Sequence, residues 1–296
     1  MVTAEALAAR LEASGAPGSP LRVCEVRWSP APPTPRERYD AGHIPGACFV
    51  DVDRDLSKAQ RRGPGGRHPM PEPAEFAAAL ARLGIGPDTE VVAYDEGSGA
   101  FASRLWLMLR MHGHPRARVL DGGLAAWTAS GRPLSREPVA VPQAPLRSLA
   151  SAGGMTVDRT AVTELSQALS SSGGKSAGRG TLLVDVRAPE RFRGELEPVD
   201  PRAGHIPGAV NLPLSRLVRS ATDPRLLPAP ELREALAGAG LDGSRKVVAY
   251  CGSGVTACFL PLALEQAGLP PCQIYPGSFS DWVSVEGAPI AVGSES

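Results

Sequence analysis

Short runs rich in Val, Leu and Ile alternate along the chain with longer stretches whose apolar positions recur at helical spacing. In the second half this pattern predicts strands over 181–186, 246–250 and 272–275 and helices over 229–239, 255–268 and 278–286. Strand and helix in alternation imply βαβ units, and so a mainly parallel sheet with helices on both faces. Loops that carry chemistry in such sheets follow the C-terminal ends of strands. Gly and Pro, at 33 and 30 residues, concentrate between the predicted elements, where residues that break regular structure belong.

The pattern occurs twice. Ala41-Gly42-His43-Ile44-Pro45-Gly46-Ala47 returns as Ala203-Gly204-His205-Ile206-Pro207-Gly208-Ala209, and Val91-Val92-Ala93-Tyr94 as Val247-Val248-Ala249-Tyr250. Asp121-Gly122-Gly123-Leu124-Ala125-Ala126-Trp127 returns as Pro276-Gly277-Ser278-Phe279-Ser280-Asp281-Trp282, and Glu25-Val26-Arg27 is echoed by Asp185-Val186-Arg187. Landmarks in one order at a separation of roughly 155–160 residues mean a duplicated domain and exclude a solenoid. Each copy, about 140 residues, is long enough for its own core. The expected division is a first domain over 1–134, a linker over 135–155 and a second domain over 156–296. The Pro-, Ala- and Ser-rich run 132–154 marks the join, and 170–180 reads as a surface loop.

Duplication separates scaffold from chemistry, because what occurs in one copy only is a candidate for function. The strand ending at Tyr250 runs into Cys251-Gly252-Ser253-Gly254-Val255-Thr256. Glycines there let the chain fold tightly around the sulfur, so that backbone N–H groups and the N-terminus of the following helix can stabilise a thiolate. The first copy keeps the strand and loop, Tyr94-Asp95-Glu96-Gly97-Ser98-Gly99, with Asp95 in place of the cysteine. The expectation is one active domain, the second, and one inactive domain.

Lys+Arg and Asp+Glu number 31 each, so the formal net charge is zero and no basic excess suggests nucleic acid or an acidic membrane surface. No apolar run approaches the roughly 18 residues of a transmembrane helix. Residues 1–12 read as an amphipathic helix without the features of a secretory signal. The cysteines, 5 in number and without CxxC pairs, point to neither a disulfide framework nor a zinc site. Reduced thiols, a cytoplasmic setting, no metal and no cofactor are therefore expected.

The loop Cys251–Thr256, the twin Gly-His-Ile-Pro-Gly motifs, Asp185-Val186-Arg187 leading to Arg191-Phe192-Arg193-Gly194, and the terminal Pro276–Trp282 motif together resemble the tandem-domain rhodanese-type sulfurtransferases. The resemblance covers nearly the whole chain. It implies an α/β fold of two rhodanese-like domains, each a mainly parallel sheet flanked by helices. It also implies attack of Cys251 on the sulfur of a small-molecule donor, a persulfide on Cys251, and delivery to a thiol acceptor, thioredoxin among them, or to cyanide. In this family Cys-Gly-Ser-Gly-Val-Thr loops accompany 3-mercaptopyruvate as donor, and Cys-Arg-Lys-Gly-Val-Thr loops accompany thiosulfate. Thiosulfate is a compact dianion that gains from fixed loop cations, and Gly252 and Ser253 supply none.

The same resemblance implies donor binding by Arg191, by the loop residues Gly252, Gly254, Val255 and Thr256, and by Arg202, whose spacing before Gly204-His205 departs from the family's. It implies a relay of Asp53 and His68, from the first domain, with Ser253. By themselves, Arg191 would be a solvated charge at a helix start and His68 an exposed loop residue.

His43 and His205 occupy equivalent positions although only one copy has the nucleophile, so both are expected to satisfy loop hydrogen bonds. The paired Trp127 and Trp282 are expected to pack, and Cys24, Cys48, Cys258 and Cys272 to be buried. The basic run Arg61, Arg62 and Arg67 beside His68 is either solvated or a source of positive potential for an anionic substrate. A cysteine phosphatase would carry an arginine six residues after the cysteine, where Ala257 stands. The alternatives are thiosulfate as donor, or a sulfur carrier or redox sensor that lacks turnover with a low-molecular-weight donor.

Overall fold

The computed structural model describes residues 1–13, 21–58, 65–149, 153–171 and 180–294; Arg61, Arg62 and most of the loop expected over 170–180 lie outside the described residues. The chain forms two compact units. The first comprises Met1–Ala59, Met70–Ala152 and Ser220–Leu226, and the second Gln60–Pro69, Gly153–Arg219 and Leu227–Ser296. Residues 65–69 thus belong to the second unit although they sit in the first half of the sequence. Their anchors explain this: Gly65 donates its N–H to Asp281 at 2.7 Å, and Arg67 donates its N–H to Ser280 Oγ at 3.1 Å.

The first unit contains β1 (Leu21–Arg27), β2 (Cys48–Asp51), β3 (Glu90–Tyr94) and β4 (Ala117–Val119), all parallel, in the order β2-β1-β3-β4. The second contains β5 (Thr181–Asp185), β6 (Val210–Asn211), β7 (Lys246–Tyr250) and β8 (Gln273–Ile274), again parallel, in the order β6-β5-β7-β8. The α/β architecture read from the hydrophobic pattern is therefore present twice. Val247, Val248, Ala249 and Tyr250 of β7 are all buried, as central strands covered on both faces must be. Cys251 follows the C-terminal end of this central strand.

Two predicted helices differ: the one expected over 278–286 ends at Trp282, and the one expected over 255–268 is split. In place of a helix over 255–268, a 3₁₀ turn covers Thr256–Cys258 and the regular helix runs over Phe259–Ala267. Pro261 has no N–H to donate, which a first turn tolerates and a helix interior does not, so the regular helix starts at Phe259.

Each unit repeats one polar scaffold beneath its loops. Tyr94 Oη accepts the Ile44 N–H at 2.9 Å and donates to the buried Glu25, itself paired with Arg27. Tyr250 Oη accepts the Ile206 N–H at 3.1 Å, and the buried Asp185 pairs with Arg187 at 2.6 Å. His43 stacks on Tyr39 and bonds its carbonyl at 3.1 Å, while His205 stacks on Phe192 and bonds its carbonyl at 2.7 Å. Trp127 and Trp282 donate to the Pro133 and Pro289 carbonyls. These histidines and tryptophans do the same work in both copies. Among the described residues no helix is long and apolar enough to cross a membrane.

Candidate active site

The loop after β7 is held open by the helix Ser278–Trp282. The Cys251 carbonyl accepts the Phe279 N–H at 3.0 Å and the Gly252 carbonyl accepts the Ser280 N–H at 2.9 Å. In a trans peptide the N–H points opposite to the C=O, so the Gly252 and Ser253 N–H groups are turned away from that helix. Gly254, at φ +80°, brings its own N–H to the Cys251 sulfur at 3.1 Å. A Cβ at Gly254 would fall on the Pro276 carbonyl, so only glycine fits. Gly254→Ala should cost about 2–4 kcal/mol, combining left-handed strain with overpacking, and should lower the thermal midpoint and the activity together. Val255 is buried beneath the loop, and Thr256 opens the 3₁₀ turn.

Ser278 is the non-glycine residue with positive φ, +53°, among the described residues, and it is fully buried. Gly123, its counterpart in the first unit, has the same φ of +53°. The hydroxyl of Ser278 accepts the Cys251 N–H at 3.1 Å, donates to the Tyr275 carbonyl at 2.9 Å and lies 3.9 Å from the Cys251 sulfur. A strained backbone retained where glycine would be relaxed marks a side chain that is needed, here to hold the Cys251 backbone.

The segment 65–69 supplies the rim. His68 is buried, at 4 % exposure, and its Nδ1 shares a 2.7 Å hydrogen bond with Ser253 Oγ. Its burial, against the exposed position expected from sequence, follows from the anchors of Gly65 and Arg67. A Cβ at Gly252 would lie 3.0 Å from Arg67 Nη2 and 3.4 and 3.5 Å from the Arg191 terminal nitrogens. Arg191 bonds Glu197 at 2.6 Å and Asp200 at 3.2 Å, and Arg67 pairs with the other oxygen of Asp200. Burial raises the Asp200 carboxyl above its ordinary value against the opposing pull of Arg67. Charge absent from the loop sequence is thus present in space.

The first unit carries the same loop with a carboxylate in place of the sulfur. Its carbonyls are held in the same way, Asp95 by Leu124 and Glu96 by Ala125. The Asp95 carboxylate accepts N–H bonds from Gly97, Gly99, Phe101 and Ala102 at 2.8–3.2 Å. Burial holds this carboxyl above its ordinary value, an effect those four amides oppose. A strand-to-loop turn of this form is an anion cradle, filled in the first unit by a carboxylate and carrying Cys251 in the second.

The structure therefore brings together Cys251, Gly252, Ser253, Gly254, His68 and Arg191. Asp53 lies in the first unit, in the short helix Val52–Asp55, with its N–H on the Asp51 carboxylate at 2.8 Å. Arg202 directs its guanidinium to the Ala288 carbonyl at 2.7 Å. Cys24, Cys48, Cys258 and Cys272 are buried free thiols. Ser278, Asp200 and Glu197 were not singled out by sequence. Ser278 could have been, since the half-to-half comparison that exposes Cys251 against Asp95 also sets Ser278 against Gly123. Asp200 and Glu197 carry no such signal.

The duplicated parallel fold and a cysteine in a glycine loop after a central strand define a class, and the comparison with known families agrees: the Rhodanese-like domain matches residues 3–130 and 162–285, so the chain belongs to the rhodanese family. A Pseudomonas aeruginosa protein named a probable 3-mercaptopyruvate sulfurtransferase is 40% identical over 299 residues, covering 99% of this chain and 98% of the relative. Thiosulfate sulfurtransferase of Gallus gallus is 32% identical over 272 residues, covering 91% and 88%. The crystal structure of SseA from Escherichia coli, of the rhodanese fold, has a TM-score of 0.77 at 31% identity and covers 95% of this chain and 98% of its own.

Proposed function

We propose that this chain transfers sulfur from 3-mercaptopyruvate, through a persulfide on Cys251, to a thiol acceptor such as thioredoxin or a small thiol, with cyanide as an assay acceptor. The Cys251 thiolate attacks the donor sulfur, the S–C bond breaks, and its electron pair passes to the donor carbon as the enolate of pyruvate. Protonation of that carbon gives pyruvate and leaves Cys251 as the persulfide. The acceptor thiol then takes the outer sulfur and Cys251 returns as the thiol. These are two half-reactions of nucleophilic catalysis, in which the loop amides offset charge on sulfur. Reduced thiols on enzyme and acceptor suit the cytoplasm.

The observation that carries the donor assignment is the 2.7 Å hydrogen bond between His68 and Ser253, two residues beyond the nucleophile. A hydroxyl–imidazole pair at that point can deliver a proton to the departing enolate. Thiosulfate releases sulfite and needs no carbon protonation. A second reading, thiosulfate as donor, draws support from the guanidinium groups of Arg67 and Arg191 beside Gly252, which suit a dianion. The ratio of kcat/KM for the two donors on one preparation decides between them: it should favour 3-mercaptopyruvate by at least tenfold, about 1.4 kcal/mol in transition-state binding. A ratio favouring thiosulfate would reject the His68–Ser253 argument and leave sulfur transfer by Cys251 standing.

A further inference from the structure

Gly252 and Ser253 carry no charge, yet the three atoms nearest to the place where a Gly252 side chain would begin are all guanidinium nitrogens, one from Arg67 and two from Arg191. These arginines are remote in sequence and are joined by one carboxylate, Asp200, whose two oxygens each take one of them. The backbone of the segment carrying Arg67 is fastened at Gly65 and Arg67 to Asp281 and Ser280, the second of which also holds the Gly252 carbonyl. Arg67 is therefore built into the loop's support. Its Nε–H is buried and has no hydrogen-bond partner among the described residues. A buried donor left unpaired costs free energy unless an acceptor arrives, and a planar guanidinium suits the oxyanion groups of both candidate donors.

We propose that Arg67 is a donor-binding residue of the Cys251 site, forming with Arg191 a clamp joined by Asp200 that takes the anionic group of the sulfur donor beside Gly252. Glycine at 252 follows from this: a Cβ 3.0 Å from Arg67 Nη2 would occupy the space the anion needs. Asp200 and Glu197 neutralise part of the positive charge, so the clamp offers directed N–H donors more than net charge. The inference rests on Cys251 as the nucleophile and holds for either donor.

The test uses no sulfur donor. Cys251 is alkylated in the full chain with iodoacetate, an anion, and with iodoacetamide, its neutral analogue, and the ratio of the two rates is measured by mass spectrometry of the Cys251 peptide. Arg67→Gln should lower the iodoacetate-to-iodoacetamide ratio about tenfold while leaving the iodoacetamide rate nearly unchanged, and Arg67→Lys should keep most of the ratio. In turnover, Arg67→Gln should raise KM for the better donor about tenfold with kcat changed less than about threefold. An unchanged ratio in Arg67→Gln, or an equal fall in both alkylation rates, would overturn the proposal, the latter assigning Arg67 to loop support alone. Because alkylation is independent of the donor, a thiosulfate preference in turnover would reject the donor assignment without touching this result.

Discussion

Replacing Cys251 by Ser should abolish sulfur transfer to any acceptor, because the hydroxyl cannot become a persulfide, while the fold persists. The side chain is 2 % exposed and its surroundings are set by the Phe279 and Ser280 N–H groups and the Ser278 hydroxyl, which bond the loop backbone and do not need sulfur. The loss should reach the assay floor, consistent with removal of the nucleophile itself, with a thermal midpoint close to that of the native chain. Incubation of the native chain with donor alone should add one sulfur atom to the peptide containing Cys251. A persulfide mapped to Cys258 or Cys272 would reject the assignment. Cys258 donates its thiol to the Gly254 carbonyl at 3.3 Å, and burial raises the Cys272 thiol well above its ordinary value, so neither is set up as a nucleophile.

His68→Ala should separate the two donors. If His68 and Ser253 deliver the proton that converts the enolate to pyruvate, kcat with 3-mercaptopyruvate should fall roughly 10²-fold, the low end of general acid–base effects, and thiosulfate turnover should stay nearly unchanged. An equal loss with both donors would instead assign the imidazole to positioning of the loop, and no loss with either would remove it from the reaction. Ser253→Ala provides the partner measurement. Two groups joined by one hydrogen bond should be strongly non-additive, so the double variant should lose little more than the worse single one. His68 belongs to the same compact unit as Cys251, so the effect does not require a second domain to supply the imidazole.

Much of the fold was legible because it is written locally. Val247-Val248-Ala249-Tyr250 is an apolar run short enough for a buried strand, and its duplicate at Val91–Tyr94 gives the same sheet position in the other unit. Where local reading faltered, a physical competitor was present. Helical periodicity runs unbroken from 255, but the missing N–H of Pro261 moved the regular helix to Phe259. The strained Ser278 was hidden for another reason: positive φ normally announces itself as glycine, and here a hydrogen-bonded hydroxyl overrides that preference.

By itself the sequence determined that the chain is a duplicated α/β protein of the rhodanese type with a cysteine loop in one copy only, because duplication preserves pattern and a single substitution, Asp95 against Cys251, stands out against it. It also determined that the loop carries no charge of its own. Only the tertiary structure decided what surrounds that loop. It placed Arg67 and His68 in the second unit, joined Arg67 to Arg191 through Asp200, and directed Arg202 to Ala288. The reason is physical: these pairings span up to 185 residues, as between His68 and Ser253, and are set by anchors on a distant helix. No local periodicity or spacing encodes such anchors, so they exist only once the core has closed.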